Sequence, residues 1–241
     1  MDRSRVRACV PLVPPFTIAI FGTHTSGKST IGRLLAKVLG VDFLEELGDS
    51  NRSEESKSSV NAHKSREDLT WDDFLFDQEN RRDKATIGSS RVVETWHIGN
   101  LAWALQRTIS SLGDTSVDDS NDTLRGTLIE RTVTSIKEEL LARDRRVLCV
   151  FLRSSVATMQ RRRDSTDYKT SDLPMLDESV ELPQLHRALD CRADELLNGH
   201  ALFKSLHLNV LHVENNEDGD EAIDVVVDTI IQELVTSRLL V

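Results

Sequence analysis

Residues 22–29 read Gly-Thr-His-Thr-Ser-Gly-Lys-Ser, a complete match to Gly-x-x-x-x-Gly-Lys-Ser/Thr. The spacing has a definite physical use. Gly22 and Gly27 let the backbone bend so that successive N–H groups point inward and cradle phosphate oxygens. Lys28 can reach the outer phosphates as a point charge, and Ser29 offers a hydroxyl to Mg²⁺. Thr23, His24, Thr25 and Ser26 complete the loop and Thr30 follows it, so 22–30 form the expected nucleotide-binding segment. His24 reads as loop-shaping or solvent-facing, with a general base as the alternative.

Such a loop works only between a strand and a helix. Before it, 17–21 (Thr-Ile-Ala-Ile-Phe) is the near-continuous apolar run of a strand buried on both faces. After it, Ile31, Leu34, Leu35 and Val38 fall at i, i+3, i+4 and i+7, an amphipathic helix that stops at Gly40. Its positive N-terminal end faces the same phosphates. Further strands are expected at 41–44, 91–95, 146–152 and 210–213. Helices are expected at 71–87, 101–112, 124–143, 155–164, 187–197 and 222–240. Strands alternating with helices predict an α/β fold of three layers, a parallel sheet with helices on both faces. A single domain over 16–241 is expected, preceded by a disordered leader at 1–15 and interrupted by polar inserts near 48–69, 113–122 and 164–183.

Other polar residues cluster around the expected carboxyl edge of the sheet. Glu94 ends a buried strand, where open α/β folds bind ligands; a Mg²⁺-water or acceptor role competes with a structural cap. Glu46 is the candidate to orient or deprotonate an acceptor hydroxyl, although the Glu45/Glu46 pair can be placed either way round. Gln78 and Arg82 are i, i+4 and can share a helix face. With Arg81 they are candidates for acceptor binding, against the alternative of a solvated face. Asn100, six residues after Glu94, has amide groups suited to an acceptor. Arg153 and Arg161, Arg162 and Arg163 are guanidinium forks that match phosphate oxygens. They cannot all face inward from one helix; Arg161 and Arg162 are assigned to the site. The polar insert after them suits a lid that closes over the nucleotides and excludes water.

The 241 residues carry 30 Lys+Arg against 40 Asp+Glu, a net charge of -10. That balance argues against a general nucleic-acid surface. Nine of the 40 acidic residues lie in 114–122 and 214–221, and an acidic total leaves room for a local phosphate pocket. No apolar run is long enough to span a membrane. Cys9, Cys149 and Cys191 form no CxxC pair, neither a disulfide framework nor a zinc site. A reducing, cytoplasmic setting is expected. The basic start at Arg3, Arg5 and Arg7 keeps a mitochondrial one as the alternative.

In their order, these features resemble the small-molecule P-loop kinases: thymidylate kinase, the deoxynucleoside kinases and the nicotinamide-riboside kinase domain of NadR. Residues 22–30 look like their phosphate loop. Phe43-Leu44-Glu45-Glu46-Leu47-Gly48 resembles the segment that places an acid beside the acceptor. Phe74-x-x-x-Gln78-x-x-Arg81-Arg82 resembles the acceptor-binding helix, and residues 92–104 the third-strand segment with its acid. Residues 147–163 look like the fourth strand leading to an arginine-bearing lid. The chain departs at Thr95, where the deoxynucleoside kinases carry Arg and thymidylate kinase carries Asp-Arg at 94–95. It departs again at His24, where thymidylate kinases commonly carry Asp.

The resemblance implies a three-layer P-loop NTPase fold with an arginine-bearing lid. It implies ATP and Mg²⁺ as cofactors, and phosphoryl transfer to a nucleoside, nucleotide or related small metabolite. Nucleotide and small-molecule acceptor are then the partners, with no nucleic acid or membrane, and a homodimer is compatible. The alternatives are an NTP-dependent switch without kinase activity and, more weakly, an ATPase subunit acting on macromolecules. The chain has no clear guanine signature after a strand.

Overall fold

Phe16–Phe21 forms strand β1, six consecutive buried residues at the centre of a parallel sheet. The computed structural model describes residues 15–23, 25–46, 69–111, 119–141, 145–165 and 195–237. In chain order β1 is followed by α1 (Lys28–Leu39), β2 (Asp42–Leu44), α2 (Leu69–Ala85), β3 (Arg91–Glu94), α3 (Trp96–Ser111) and α4 (Asp119–Leu141). Then come β4 (Arg146–Arg153), α5 (Val156–Ser165), a π-helical turn (Glu195–Gly199), α6 (Ala201–Lys204), β5 (Asn209–Glu214) and α7 (Asp220–Thr236). The strand order is β2-β3-β1-β4-β5, and every pairing is parallel.

Alternation along the strands sorts the core into two layers. Ala19, Phe21, Val93, Cys149 and Phe151 face a cluster with Trp96, Leu101, Val133, Ile136 and Phe203. Their neighbours Ile18, Ile20, Val92, Leu148 and Val150 face the other side, against Ile31 and Leu35 of α1 and Val227, Ile230 and Leu234 of α7. Each central strand is therefore apolar at successive positions, as a sheet covered on both faces requires. α1 lies close to β2, because Gly32 leaves its side-chain space to the ring of Phe43.

Several boundaries differ from the sequence reading. α3 starts at Trp96, five residues before the expected start at 101. The sharp exit from β3 is made by Thr95 and Trp96, both at positive φ (69° and 44°). The acidic stretch expected as a loop over 113–122 is helical from Asp119 onward, and Leu69, counted with the first insert, opens α2. The third insert, expected from 164, begins inside α5, which runs to Ser165. Glu195–Gly199 is a π-helical turn, while 187–194 of the expected helix lie outside the described residues. So do residues 1–14 of the leader and residues 48–68, 112–118 and 166–183 around the inserts. No helix among the described residues is long and apolar enough to cross a membrane.

Candidate active site

The loop between β1 and α1 is built on two glycines that no other residue replaces without collision. Gly22 has φ +146°, and a Cβ there would sit 2.5 Å from Ser26 Oγ and 2.8 Å from the Leu152 carbonyl. Gly27 has φ +95°, and its Cβ would sit 2.6 Å from Asn215 Nδ2. Thr25 is also left-handed (φ 63°), and the Ser26 amide closes the turn on the Thr23 carbonyl at 3.2 Å. The first helical bond of α1 runs from the Ile31 amide to the Gly27 carbonyl. The amides of Lys28, Ser29 and Thr30 are thus the helix's donors without intrahelical partners. Ser26 Oγ is buried with no partner among the described residues. Helix-opening amides without intrahelical partners, beside an orphaned hydroxyl, suit the oxygens of a phosphate chain. His24 lies outside the described residues.

Lys28 is buried, and its ammonium donates to the Thr23 carbonyl at 3.2 Å. It lies 3.8 Å from Glu94 Oε1 and 3.9 Å from Glu46 Oε2. Ser29 Oγ is 3.0 and 3.1 Å from the two oxygens of Glu94. The strand order explains this gathering. β3 sits between β1 and β2, and parallel strands bring the carboxyl ends of all three to one edge. Glu94 comes from the end of β3 and Glu46 from just beyond β2. The Glu45/Glu46 ambiguity is resolved by the same geometry. Glu45 accepts from Arg33 on the outer side of α1 (Nε at 2.9 Å), and Glu46 faces Lys28.

The arginines of α5 gather at the loop and at the segment after β5. Arg162 donates to the Thr25 carbonyl at 3.3 Å, to Asn215 Oδ1 at 3.4 Å and to the Glu217 carbonyl at 2.8 Å. Its Nε is 2.7 Å from Asp218. Arg161 is exposed and also holds Asp218, with Nε at 2.7 Å. Hydrogen bonds from Arg162 and Arg161 keep the Asp218 carboxyl below the usual aspartate range. Arg162 therefore braces the phosphate loop through the Thr25 carbonyl, and Arg161, exposed, reaches Asp218. Arg153 ends β4, half-buried, and the side chain of Arg163 is not among those described. Asn215, which the sequence reading missed, donates from Nδ2 to the Ser26 carbonyl at 2.7 Å. Its one sequence signal is its place just after a strand.

The α2 candidates separate by helix phase. Arg81 is exposed and Gln78 half-buried. Arg82 turns inward and pairs with Glu79 at 2.8 Å, and Asn100 Nδ2 donates to the same Glu79 oxygen at 3.3 Å. Burial drives the Glu79 carboxyl up, opposed by the charges of Arg82 and His97. Asn100 and His97 line a pocket between α2, α3 and α4. Beside it lies a buried ionic network that the sequence reading also missed. Arg91, with no exposed side-chain surface, donates to Asp83 at 2.5 Å and to Glu139 at 3.0 Å. Arg145 pairs with Glu139 at 2.8 Å, and Trp96 Nε1 and His97 Nε2 reach Asp83 at 3.3 and 2.8 Å. A lone Arg opening an otherwise apolar strand was the available signal.

No protein-family model matches the sequence, and no curated protein matches it. Solved structures match the fold. A deoxyadenosine kinase from M. mycoides with bound dATP aligns over 90% of this chain and 100% of its own, with a TM-score of 0.58 at 16% identity. Thymidylate kinase from Candida albicans aligns over 93% of each chain, with a TM-score of 0.55 at 15% identity. Thymidylate kinase from Ehrlichia chaffeensis aligns over 92% of this chain and 100% of its own, with a TM-score of 0.51 at 12% identity. At these identities the likeness is one of fold. The chain has a P-loop kinase-like fold, a five-stranded parallel sheet flanked by helices.

Proposed function

We propose that the protein is a kinase that uses ATP and Mg²⁺ to phosphorylate a nucleoside, a nucleotide or a related small metabolite. The observation that carries this reading is the convergence of Lys28, Ser29, Glu46 and Glu94 at the carboxyl edge of the sheet. Bound Mg-ATP would supply the transferable phosphoryl group and the metal charge that spreads over its oxygens. Residues 22–30 would hold the phosphate chain, with Ser29 the protein ligand to the metal. What the chain itself supplies is position and charge.

Lys28 is already buried and fixed by the Thr23 carbonyl, so its charge needs little reorganisation to meet phosphate oxygens. Glu94 holds the Ser29 hydroxyl in place. Glu46, 3.9 Å from the Lys28 ammonium, is the carboxylate that would take the proton of an acceptor hydroxyl. Arg162 keeps the loop in shape through the Thr25 carbonyl, and Arg161 would have to leave Asp218 to swing toward phosphate. Gln78, Arg81, Arg82 and Asn100 would bind the acceptor in this reading.

The test is ADP formation from Mg-ATP in the presence of a panel of nucleosides, nucleoside monophosphates and ring-amide ribosides. Acceptor-dependent ADP is expected. Lys28→Ala should lower the rate by at least about 100-fold, the scale of a lost charge stabiliser. A Lys28→Ala protein with wild-type turnover overturns the reading. One observation favours the switch alternative: Asp218 engages both Arg161 and Arg162. That alternative predicts tight nucleotide binding with slow hydrolysis that no acceptor stimulates.

A further inference from the structure

Asn215 follows the end of β5, and its backbone is fixed from two sides. Its amide donates to the Arg153 carbonyl at 2.7 Å, one step past the β4–β5 pairing, and its carbonyl accepts from Ser154 Oγ at 2.7 Å. The residue is buried, and its side chain reaches the phosphate loop. Nδ2 donates to the Ser26 carbonyl at 2.7 Å, and Oδ1 accepts from Arg162 Nη2 at 3.4 Å. These neighbours settle which end of the amide faces which, because a carbonyl only accepts and a guanidinium only donates. Asparagine supplies one donor and one acceptor on this short, planar fork. Aspartate lacks the donor, and alanine lacks both. Gly27 completes the fit, since a Cβ there would lie 2.6 Å from Asn215 Nδ2.

The peptide unit that Asn215 grips joins Ser26 to Gly27. It is trans and planar, so its N–H points opposite to its C=O. With the carbonyl held at Nδ2, the Gly27 amide faces away from Asn215. Turning that peptide plane would break the 2.7 Å bond and strand a buried donor, which is costly. The preceding peptide unit is held as well, because the Thr25 carbonyl accepts from Arg162 Nη1 at 3.3 Å. Its N–H, that of Ser26, is spent inside the turn on the Thr23 carbonyl. The Gly27 amide is thus the one that Asn215 aims. Gly27 is the N-cap of α1, so this amide stands directly before the helix-opening amides of Lys28, Ser29 and Thr30.

We propose that Asn215 is a positioning residue for phosphate binding: by holding the Ser26 carbonyl, it presets the Gly27 amide as a hydrogen-bond donor to a phosphate oxygen. The proposal rests on the kinase reading above for a phosphate chain in the loop. Asn215 itself touches no reacting atom. Its contribution is pre-organisation. A glycine at φ +95° has many competing backbone states, and a donor fixed before the ligand arrives needs no ordering when it binds. The ligand class is a chain of phosphates, as in a nucleoside diphosphate or triphosphate. Inorganic pyrophosphate is the probe for that chain alone.

The experiment watches that amide directly. The dipeptide Ser-Gly occurs once in the sequence, at 26–27. Full-length protein from cell-free synthesis, isotope-labelled at the serine carbonyl carbon and the glycine nitrogen, therefore gives one carbonyl-coupled amide signal in NMR, that of Gly27. A charge-assisted hydrogen bond to a phosphate oxygen moves its proton downfield. Magnesium pyrophosphate and Mg-ADP should each produce that shift in the wild type, and calorimetry on the same samples gives the Kd. Asn215→Asp keeps the size and the Arg162 contact but turns an acceptor toward the Ser26 carbonyl. Asn215→Ala removes both contacts. Each variant, checked for folding by circular dichroism, should lose most of the shift and bind pyrophosphate about 10-fold more weakly, the scale of one hydrogen bond. Asn216→Ala loosens the same segment, where Asn216 Oδ1 accepts from the Ser155 amide, and should keep the wild-type signal. A folded Asn215 variant with the wild-type shift overturns the proposal. So does a wild type whose Gly27 amide answers neither probe, or an Asn216→Ala protein that loses the shift to the same extent. Loss of the shift in the Asn215 variants, without acceptor-dependent ADP formation by the wild type, supports the proposal and overturns the kinase reading. Acceptor-dependent ADP formation, with an unchanged shift in those variants, does the reverse.

Discussion

Replacing Asp83 with Asn removes the charge at the centre of the buried network, and the cost should depend on pH in a calculable way. Asp83 has 6% side-chain exposure and holds Arg91, Trp96 and His97. Burial alone would raise its pKa; the His97 hydrogen bond and charge, with Arg91, outweigh burial and lower it from 3.8 to about 2. The folded value lies below the unfolded one, so the native state favours the ionised form. The resulting stability is fully present above about pH 4 and is lost as the pH falls through 2. A gap of nearly two units corresponds to about 2 kcal/mol, of which about half remains at pH 3.

Asp83→Asn has no such proton, so the stability gap between wild type and variant should shrink by about 1 kcal/mol between pH 6 and pH 3. Glu79, pushed up by its burial, also feels the Asp83 charge, so the same comparison made in a Glu79→Gln background isolates the Asp83 contribution. Urea unfolding at fixed ionic strength, followed by circular dichroism and tryptophan fluorescence, measures the gap. A gap that stays constant across that range, or widens on acidification, refutes the charge argument and leaves Asp83 a merely neutral hydrogen-bonding residue.

Two further outcomes follow from packing. Gly32→Ala drives a methyl group into the Phe43 ring and should destabilise the fold by about 1–3 kcal/mol, the usual cost of overpacking. The Phe43→Leu change should recover part of that loss in a double-mutant unfolding series. Cys149 is fully buried in β4, and desolvation pushes its thiol far up. Alkylation followed by peptide mapping should therefore leave Cys149 unmodified in the native protein and label it in denaturant.

The phosphate loop was legible because its chemistry is local. Eight contiguous residues contain the glycines that bend it, the lysine and the serine, and the neighbouring periodicities identify the strand and helix that hold it. The strands were legible because a sheet covered on both faces demands apolar residues at successive positions, as in 146–152. Glu94 could be nominated from its place at the end of such a strand. The start of α3 was misplaced because two left-handed residues, Thr95 and Trp96, make a turn that no glycine announces.

Choosing Glu46 over Glu45 needed the pairing of β2 with β3, which brings one carboxylate to Lys28 while its neighbour faces Arg33. The division of labour between Arg161 and Arg162 needed the loop after β5, which arrives late in the chain to meet both. Asn215 supports Ser26 from 189 residues away, and Arg91 meets Glu139 from 48. Charged residues on helices such as Asp83 and Glu139 read in isolation as solvated faces. Their burial becomes tolerable only when distant partners arrive to satisfy them. The sequence by itself determined the phosphate cradle and the layered α/β order, because local backbone conformation and hydrophobic periodicity are short-range properties. Only the tertiary structure decided which acids meet Lys28 and which histidine faces the second pocket, because those choices depend on strand order and on partners remote in the chain.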